Sequence, residues 1–527
     1  MSYRIGVDVG STHTDAVVLD QERRLIKAIK TGTTPDTTTG IVIALRRVLT
    51  ESGVEPSKVK AVMLGTTHCL NALIERKRLA KTAVLRIGKP ATLAIAPLTT
   101  FPSDLKAALG GFAYIVSGGH EFDGREIAPL SEAEIKEAAH DMKAKGVEAV
   151  AVCSVFSPVD PSHERRAAQI LMAELGEDVP ITLSSELASI GLLERENAAA
   201  MNASLIKVAK TAIEAFKRAL AELGLGRAKL FMSQNDGTLM SVEYALRYPI
   251  LTIACGPTNS MRGAAYLVGL SDAIVVDVGG TTALFGALSK GFPRESALAV
   301  EIGGVKTNFR MPDLVSIGCG GGAIVRVDGS RVTIGPDSVG YLLTSQGMAW
   351  GGRTLTTTDV ALAAGYAAVE DDRCDPQKLA TLDKELVRRA VDEIVRKVQE
   401  NIDKIKTSAE PMPVVLVGGG GIIVPPYAYG QFAGVSKVVR PEHFQYANAI
   451  GAAIAQVGGT VDRVFSLEKL GREEALKQAK EMAVEEAVRA GAQRSTVQII
   501  DVDEIPLAYL PGNATRIRVK ASGSLAL

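Results

Sequence analysis

The chain of 527 residues is longer than one hydrophobic core usually supports, so we expect at least two domains. Its 59 lysines and arginines balance 59 aspartates and glutamates, and no basic, aromatic-rich patch stands out, which argues against a nucleic-acid partner. The five cysteines are dispersed without C-x-x-C spacing and no signal peptide is recognised, so we expect a reduced, cytoplasmic protein.

Neither a membrane partner nor a zinc site is expected. Residues 411–436 carry no charge, but prolines and glycines interrupt the run, so a membrane partner is not predicted. The six histidines show no zinc-ligand spacing.

The first predicted element is a β-hairpin over residues 4–20 that joins two apolar runs through a small, polar turn. Gly10 allows close approach of a ligand to the backbone. Hydroxyls and amides of the turn can bind an anion, and the residues that provide them are Ser11, Thr12 and Thr14. Asp8 stands where a metal or its water is held. The hairpin therefore predicts a phosphate site.

Strands and helices then alternate, which indicates the α/β class. We predict strands over 59–64, 82–87, 113–117, 147–156 and 181–184, and helices over 40–51, 131–145, 161–175 and 192–223. In the last of these helices, Glu194 and Arg195 are interpreted as a solvated face. Cys255, in the turn before a further helix, is interpreted as a packing residue, since no histidine lies near it in sequence to activate it.

A second hairpin over residues 274–287 repeats the order of strand, aspartate, glycine, hydroxyl and strand. Its counterparts of the first turn are Asp277, Gly279, Gly280, Thr281 and Thr282. Two such hairpins predict one nucleotide clamped between two related domains.

Two glycine-rich segments follow. The segment 318–322, with Gly320 and Gly321, is either a tight structural corner or a loop that closes over phosphate, and we favour the loop. The strand 414–417 runs into Gly418, Gly419, Gly420 and Gly421, where a base or ribose can lie against backbone. A charged helix and two strands then end the chain as an α+β appendage.

Neither hairpin fits the common alternatives, because G-x-x-x-x-G-K-[ST] is absent and neither runs straight into a helix. Two Asp-Gly-hydroxyl hairpins followed by a glycine-rich strand end resemble the superfamily of sugar kinases, actin and heat-shock ATPases. That resemblance implies two ribonuclease-H-like α/β domains around a cleft that holds ATP and Mg²⁺. We predict an N-terminal domain over 1–190, a second over 191–460 and the appendage over 461–527.

Within the superfamily the chain resembles the hydantoinase A and 5-oxoprolinase family. Residues 8–15 are similar to the family's D-x-G-G-T-F-T-D, and residues 65–76 to its G-T-T-x-x-x-N-A-L-x-E-R. The resemblance also covers Gly256-Pro257, the second hairpin, 317–322 and Thr358-Asp359. Two departures stand out: His13 replaces an aromatic residue, and Thr282-Ala283-Leu284 stands where many members read S-T-D, so the second loop lacks an acid.

The family resemblance implies ATP-dependent opening of a cyclic amide such as a hydantoin, a lactam or an oxoproline-like ring, through phosphorylation of the carbonyl oxygen. In our hypothesis for this reaction, Asp8 and Asp277 hold the metal, and Asp15 or Asn71 orients substrate or metal. A B-type hydantoinase subunit is an expected partner, and self-association into a homo-oligomer is left open. The alternatives are a small-molecule kinase and a non-enzymatic ATP-driven switch acting on a partner.

Overall fold

The computed structural model describes residues 2–10, 12–32, 34, 37–296, 299–329 and 331–527. Strands and helices alternate along most of this length, which confirms the α/β class. The strands are β1 (Tyr3–Val9), β2 (His13–Leu19), β3 (Leu25–Gly32), β4 (Val59–Gly65), β5 (Thr82–Lys89), β6 (Phe112–Ser117), β7 (Ala149–Ser154), β8 (Ile181–Leu183), β9 (Lys229–Ser233), β10 (Leu239–Ser241), β11 (Ala273–Val278), β12 (Ala283–Ser289), β13 (Phe292–Pro293), β14 (Val300–Ile302), β15 (Val305–Thr307), β16 (Leu314–Ile317), β17 (Ala323–Asp328), β18 (Arg331–Ser338), β19 (Met412–Val417), β20 (Val435–Val439), β21 (Val457–Ser466), β22 (Gln498–Pro506) and β23 (Ala514–Gly523).

The α-helices of the described residues cover the connections between these strands. They are α1 (Thr37–Ser52), α2 (His68–Glu75), α3 (Ser103–Ala108), α4 (Glu132–Ala144), α5 (Ser162–Leu175), α6 (Leu192–Glu222), α7 (Val242–Arg247), α8 (Cys255–Val268), α9 (Leu343–Gln346), α10 (Thr357–Ala363), α11 (Lys384–Ile405), α12 (Ala447–Ile454), α13 (Leu467–Leu470) and α14 (Arg472–Arg489). Among the described residues, no helix is both long and apolar enough to cross a membrane.

The first hairpin lies inside a nine-stranded sheet of order β22-β23-β21-β10-β9-β4-β1-β2-β3. β1, β2 and β3 are antiparallel neighbours, whereas β4 runs parallel to β1 and β9 parallel to β4. Parallel strands need crossover connections, and α1 provides the one between β3 and β4. The apolar faces of these strands, including Ile5 and Val7, form a buried core with α1 and α6.

The second hairpin lies in a six-stranded sheet with the same arrangement. β11 and β12 are antiparallel, β16 and β13 continue on the β12 side, and β19 and β20 add parallel strands on the β11 side. The strands β3-β2-β1-β4-β9 of the first sheet match β13-β12-β11-β19-β20 of the second in order and direction, which gives the pair of ribonuclease-H-like domains that the motifs predicted. The repeat therefore extends from the hairpins to five strands of each sheet.

The chain segment between β4 and β9 forms a separate four-stranded parallel sheet of order β6-β5-β7-β8. Helix α6 packs on β7 and supplies much of the adjoining core. Arg195, on α6, is only 2% exposed, so its assignment to a solvated helix face is wrong. Its guanidinium donates to the Ser154 carbonyl at 2.6 Å, the Ser189 carbonyl at 3.0 Å and the Ser184 hydroxyl at 2.9 Å.

The C-terminal segment is the predicted helix with two strands, α14, β22 and β23. β23 pairs with β21, and β21 pairs with β10, so this segment extends the sheet of the first hairpin. The nine-stranded sheet thus draws strands from all three predicted ranges, 1–190, 191–460 and 461–527. Those limits remain a prediction for the domains.

The chain passes between the two hairpin sheets through α8 and α12, and these helices cross each other closely. A Cβ on Gly451 of α12 would collide with the Asn259 carbonyl of α8, and one on Gly263 would collide with the Ala447 carbonyl. A side chain at either glycine would push the helices apart. The close crossing brings polar side chains of both helices to the end of β1.

Candidate active site

The first turn holds its two carboxylates side by side. In the register of β1 with β2, Asp8 stands opposite Asp15, and the Gly10 amide donates to the His13 carbonyl at 2.9 Å. Thr12 is 8% exposed and Thr14 is fully buried. Ser11 lies outside the described residues, so its part in phosphate binding stays a prediction.

The second turn repeats this geometry with one chemical difference. The Gly279 amide donates to the Thr282 carbonyl at 2.9 Å, and Asp277 stands opposite Leu284 in the register of β11 with β12. Leu284 therefore occupies the position that Asp15 holds in the first hairpin. The missing acid noted in the sequence leaves the second turn with a single carboxylate.

Asp8 is enclosed by amide groups from the two crossing helices. Asn259 Nδ2 of α8 and Asn448 Nδ2 of α12 each donate to an Asp8 carboxylate oxygen at 3.2 Å. Burial raises the pKa of Asp8, while these two donors act in the opposite direction. Sequence reasoning missed both asparagines because they lie 251 and 440 residues from Asp8.

Asp277 is buried next to the glycine-rich end of β19. Gly418 has a φ of +82°, and a Cβ there would collide with the Asp277 carboxylate. Burial raises the pKa of Asp277 to about 6; the Ser260 side chain lowers it, and the nearby Asp8 carboxylate adds to the increase. Asp15 contributes in the same direction as Asp8, which brings all three carboxylates into one electrostatic cluster.

Lys30 supplies the positive charge of this cluster. Its Nζ lies 2.5 Å from Asp15 Oδ1, and its side chain is 28% exposed. Burial raises the pKa of Asp15, and the Lys30 ammonium lowers it. Lys30 is not among the residues predicted from the sequence. The signal that would have found it is the pairing of β2 with β3, which puts Lys30 opposite Asp15.

The two turns touch each other. A Cβ on Gly280 would lie 2.6 Å from Thr12 Cγ2, so this glycine permits the turns to approach. Thr281 and Thr282 are half-buried in the second turn. Thr12 of the first turn and Gly280 of the second are therefore neighbours, and phosphate binding by the residues of the two turns stays a prediction.

Gly320 and Gly321 belong to a segment that is hydrogen-bonded along the second turn. The Gly320 amide donates to the Thr281 carbonyl at 3.2 Å and the Gly321 amide to the Gly279 carbonyl at 2.9 Å. The Thr358 hydroxyl, at the start of α10, donates to the Gly321 carbonyl at 2.7 Å. These bonds give the two glycines a structural role, and their approach to phosphate stays a prediction.

The glycines after β19 divide into two kinds. A Cβ on Gly418 or Gly420 would collide with the second hairpin, so both glycines permit β19 and β11 to meet there. Gly419 has open space where its Cβ would be. Gly419 is thus the member of the run whose surroundings leave room for a base or ribose.

Asn71 is not brought into the carboxylate cluster by any described contact. It is exposed on α2, where its Nδ2 donates to the Thr67 hydroxyl at 3.4 Å. Its role in orienting substrate stays a prediction. Cys255 is buried, and burial raises the pKa of its thiol to about 12, in agreement with the packing role.

Folding also assembles a histidine cluster that sequence spacing did not reveal. Ligand atoms of His120, Glu126 and His163 lie within 4.8 Å of one another. His163 Nδ1 accepts from the Gly119 amide at 3.0 Å, which leaves the proton on Nε2, 3.2 Å from Glu126. Both ring nitrogens of His163 are satisfied in this way, whereas His120 Nδ1 is buried and has no hydrogen-bond partner among the described residues.

Comparisons with known proteins agree with the motifs. The family model described as Hydantoinase/oxoprolinase N-terminal region matches residues 4–175, and the one described as Hydantoinase/oxoprolinase matches residues 195–412. The caprolactamase subunit alpha of Pseudomonas jessenii is 29% identical over 69% of this chain and 55% of its own. The acetone carboxylase beta subunit of Xanthobacter autotrophicus is 22% identical over 88% of this chain and 71% of its own.

Solved structures share the fold. The crystal structure of ATP-dependent caprolactamase from Pseudomonas jessenii has a TM-score of 0.76 at 21% identity and covers 98% of this chain and 87% of that one. The nucleotide-free acetone carboxylase has a TM-score of 0.67 at 18% identity and covers 99% and 88%. Several curated relatives are longer than this chain, which spans only 62%, 55% and 53% of three of them.

Proposed function

Because the chain belongs to the hydantoinase/oxoprolinase family, we propose that it is the ATP-handling subunit of an enzyme that opens a cyclic amide, namely a hydantoin, a lactam or an oxoproline-like ring. The observation that carries the proposal is the cluster of buried Asp8, buried Asp277 and half-buried Asp15 between two turns of equal geometry. The relative named caprolactamase favours an amide among the substrates.

The carboxylate cluster fits Mg²⁺. Asp8 and Asp15 both raise the pKa of Asp277, and the single ammonium of Lys30 leaves the four groups with a net negative charge when all are ionised. Carboxylate oxygens and water are the ligands that Mg²⁺ takes, and the ion bridges and neutralises phosphates when it is bound. Asp8 and Asp277 would hold it, one from each hairpin.

The phosphates of ATP would lie between the two turns. Amides and hydroxyls of the turns would bind their oxygens, and Lys30 would stabilise negative charge that develops during transfer. Gly419, with open space beside it, is where the nucleoside would lie against backbone. Asp15 would orient the substrate or the metal.

The proposed reaction activates a poor electrophile. The amide carbonyl oxygen attacks the γ-phosphorus, the bond from that phosphorus to the β–γ bridging oxygen breaks, and ADP leaves. Water then adds to the activated ring carbon, and the ring C–N bond opens to leave a free amine and an acyl phosphate. A second water attacks the carbonyl carbon of the acyl phosphate, and inorganic phosphate leaves with the original carbonyl oxygen. Each step conserves charge and needs no oxidant.

A partner subunit is part of the proposal. Relatives of this chain are named as single subunits of a caprolactamase, an acetone carboxylase and an acetophenone carboxylase. We assign hydrolysis of the activated amide to a B-type subunit, with this chain carrying out the ATP-dependent step.

A second candidate is activation of a ketone, favoured by the relatives named acetone carboxylase and acetophenone carboxylase. A ketone enolate oxygen would attack the γ-phosphorus as the amide oxygen does. The two candidates differ in product, since a ketone yields an enol phosphate without a C–N bond to open.

An oxygen-18 experiment tests the proposed reaction. A panel of lactams and hydantoins is first screened for stimulation of ADP release, with simple ketones as a parallel panel. The stimulating amide is then made with ¹⁸O in its carbonyl group, and mass spectrometry of the released phosphate should find the label. Unlabelled phosphate with ring opening would overturn the proposed route, in which water attacks carbon and phosphate leaves with the carbonyl oxygen.

Asp8→Asn provides the matched test of the site. The variant should lose ATP turnover by about a thousandfold or more, because it removes a charge from the cluster that neutralises phosphate and metal. Asp272→Asn, at an exposed aspartate just before β11, is the control and should keep full turnover. Undiminished turnover in Asp8→Asn would exclude this cluster as the ATP site.

A further inference from the structure

One face of the first sheet changes from apolar to polar where it leaves the cover of α12. Val17 and Leu19 of β2 are buried, and both pack against α12. Because side chains alternate between the two faces of a strand, Asp15 and His13 continue the same face toward the first turn. Asp15 is half-buried and His13 is exposed. The face therefore ends in two polar side chains that α12 does not fully cover.

Lys30 and Tyr446 extend this polar surface to the sides. Lys30 of β3 stands opposite Asp15, and its Nζ lies 2.5 Å from Asp15 Oδ1. The same Nζ lies 5.6 Å from the centre of the ring of Tyr446, the residue before α12. We call the surface formed by His13, Asp15, Lys30 and Tyr446 the polar wall.

One side of the His13 ring is available to a ligand. Its Nδ1 is hydrogen-bonded to Thr12 Oγ1 at 3.0 Å, whereas its Nε2 has no hydrogen-bond partner among the described residues. His13 stands opposite Gly32 of β3, where a Cβ would meet open space. Thr12 adjoins Gly280 of the second turn, so His13 lies beside the turns that are proposed to hold the phosphates. The polar wall thus has room next to a hydrogen-bonding nitrogen.

The polar wall carries no net charge. Enclosure of part of the His13 ring and the nearby Lys30 ammonium lower the pKa of His13 to about 4, so the ring is neutral at pH 7. The Lys30 ammonium is balanced by the Asp15 carboxylate. The phenol of the wall is uncharged as well, since burial raises its pKa. Asp8 and Asp277 lie beyond the wall, and their charges would repel a ligand that carries a free carboxylate.

We propose that His13 selects the substrate: its Nε2 forms a hydrogen bond with an uncharged ring that carries a polar N–H or C=O group in addition to the reacting amide. The inference rests on the proposed function and chooses among the rings named there. Phenylalanine, which the family motif has at this position, offers no hydrogen-bonding atom. A ring with only methylene groups beside its amide cannot make this contact, and a ring with a free carboxylate is repelled.

Three five-membered rings separate these properties in calorimetric titrations of the full chain with Mg²⁺ and ADP present. Hydantoin has a second carbonyl and a second N–H group, 2-pyrrolidinone has methylenes in their place, and 5-oxoproline is the same lactam with a carboxylate. Hydantoin should bind about tenfold more tightly than 2-pyrrolidinone, the gain expected for one net hydrogen bond. 5-Oxoproline should bind most weakly of the three.

His13→Phe is the variant that tests the contact. It should weaken hydantoin binding by about tenfold and leave the affinity for 2-pyrrolidinone within about twofold of wild type, which also shows that the site is still folded. His13→Gln keeps a hydrogen-bonding group and should retain the preference for hydantoin. His140→Phe, the same substitution at an exposed histidine of α4, is the matched control and should bind all three rings as the wild type does.

Three results would overturn this inference and leave the proposed function standing. They are an equal loss of affinity for hydantoin and 2-pyrrolidinone in His13→Phe, an unchanged preference for hydantoin in that variant, and tightest binding of 5-oxoproline by the wild type. Failure of all three rings to bind would overturn the proposed function together with this inference.

Discussion

Replacing Asp277 by asparagine should stabilise the metal-free protein at alkaline pH while abolishing ATP turnover. In the folded chain the pKa of Asp277 is raised to about 6 from the ordinary 3.8, with burial as the main cause. The folded state therefore holds its proton to higher pH than the unfolded state does. The stability that this proton provides is fully present below about pH 4 and is lost as the pH rises through 6.

The size of the effect follows from the shift. A difference of about two pKa units corresponds to about 3 kcal/mol at 1.36 kcal/mol per unit. As the pH rises from 4.5 to 8, the free energy of unfolding of Asp277→Asn should increase relative to that of wild type by up to about 3 kcal/mol. Asn is nearly the same size as Asp, so packing against Gly418 is retained.

Urea denaturation in EDTA, at intervals from pH 4.5 to pH 8, measures this difference directly. Asp272→Asn is the control, and its difference from wild type should stay nearly constant with pH. Addition of Mg²⁺ at pH 8 should stabilise wild type and have less effect on Asp277→Asn. A stability difference between Asp277→Asn and wild type that is independent of pH would refute the reasoning, as would equal stabilisation of both by Mg²⁺.

Three further predictions concern the surroundings of the cluster. Lys30→Met should raise the carboxylate pKa values, which moves the acidic limb of the pH–rate profile for ATP turnover to higher pH, and Lys30→Arg should restore it. Gly451→Val should cost about 1–3 kcal/mol in urea denaturation through its collision with the Asn259 carbonyl, whereas Gly430→Ala, with open space, should cost little. Cys255 should resist thiol reagents in the native state, and Cys255→Ala should keep ATP turnover.

Each of these three predictions would be contradicted by a specific result. An unmoved acidic limb in Lys30→Met would mean that the ammonium does not act on the carboxylates during turnover. Equal stability of Gly451→Val and Gly430→Ala would mean that α8 and α12 are not in close contact in solution. Rapid labelling of Cys255 would mean that its site opens to solvent.

The hairpins were predictable because their signal is local. A strand, an aspartate, a glycine and a second strand within about 15 residues specify a turn and its hydrogen bonds, so Asp8 and Asp277 were found at once. Leu284 in place of an acid was visible in the same way. The equivalence of the two sheets followed from repetition of that local pattern.

Arg195 illustrates why contacts with other segments of the chain were not predictable. An arginine in a polar helical stretch is usually solvated, and nothing in the residues around it indicates that three oxygens from other segments will enclose it.

By itself the sequence determined the α/β class, the two phosphate-type turns, their aspartates and the family motifs, because each depends on neighbours along the chain. Only the tertiary structure decided what surrounds those aspartates. The crossing of α8 and α12 brings Asn259 and Asn448 to Asp8, and the pairing of β2 with β3 brings Lys30 to Asp15. Burial and charge in the active site are set by such distant contacts, since the pKa of a carboxylate depends on which groups folding places around it.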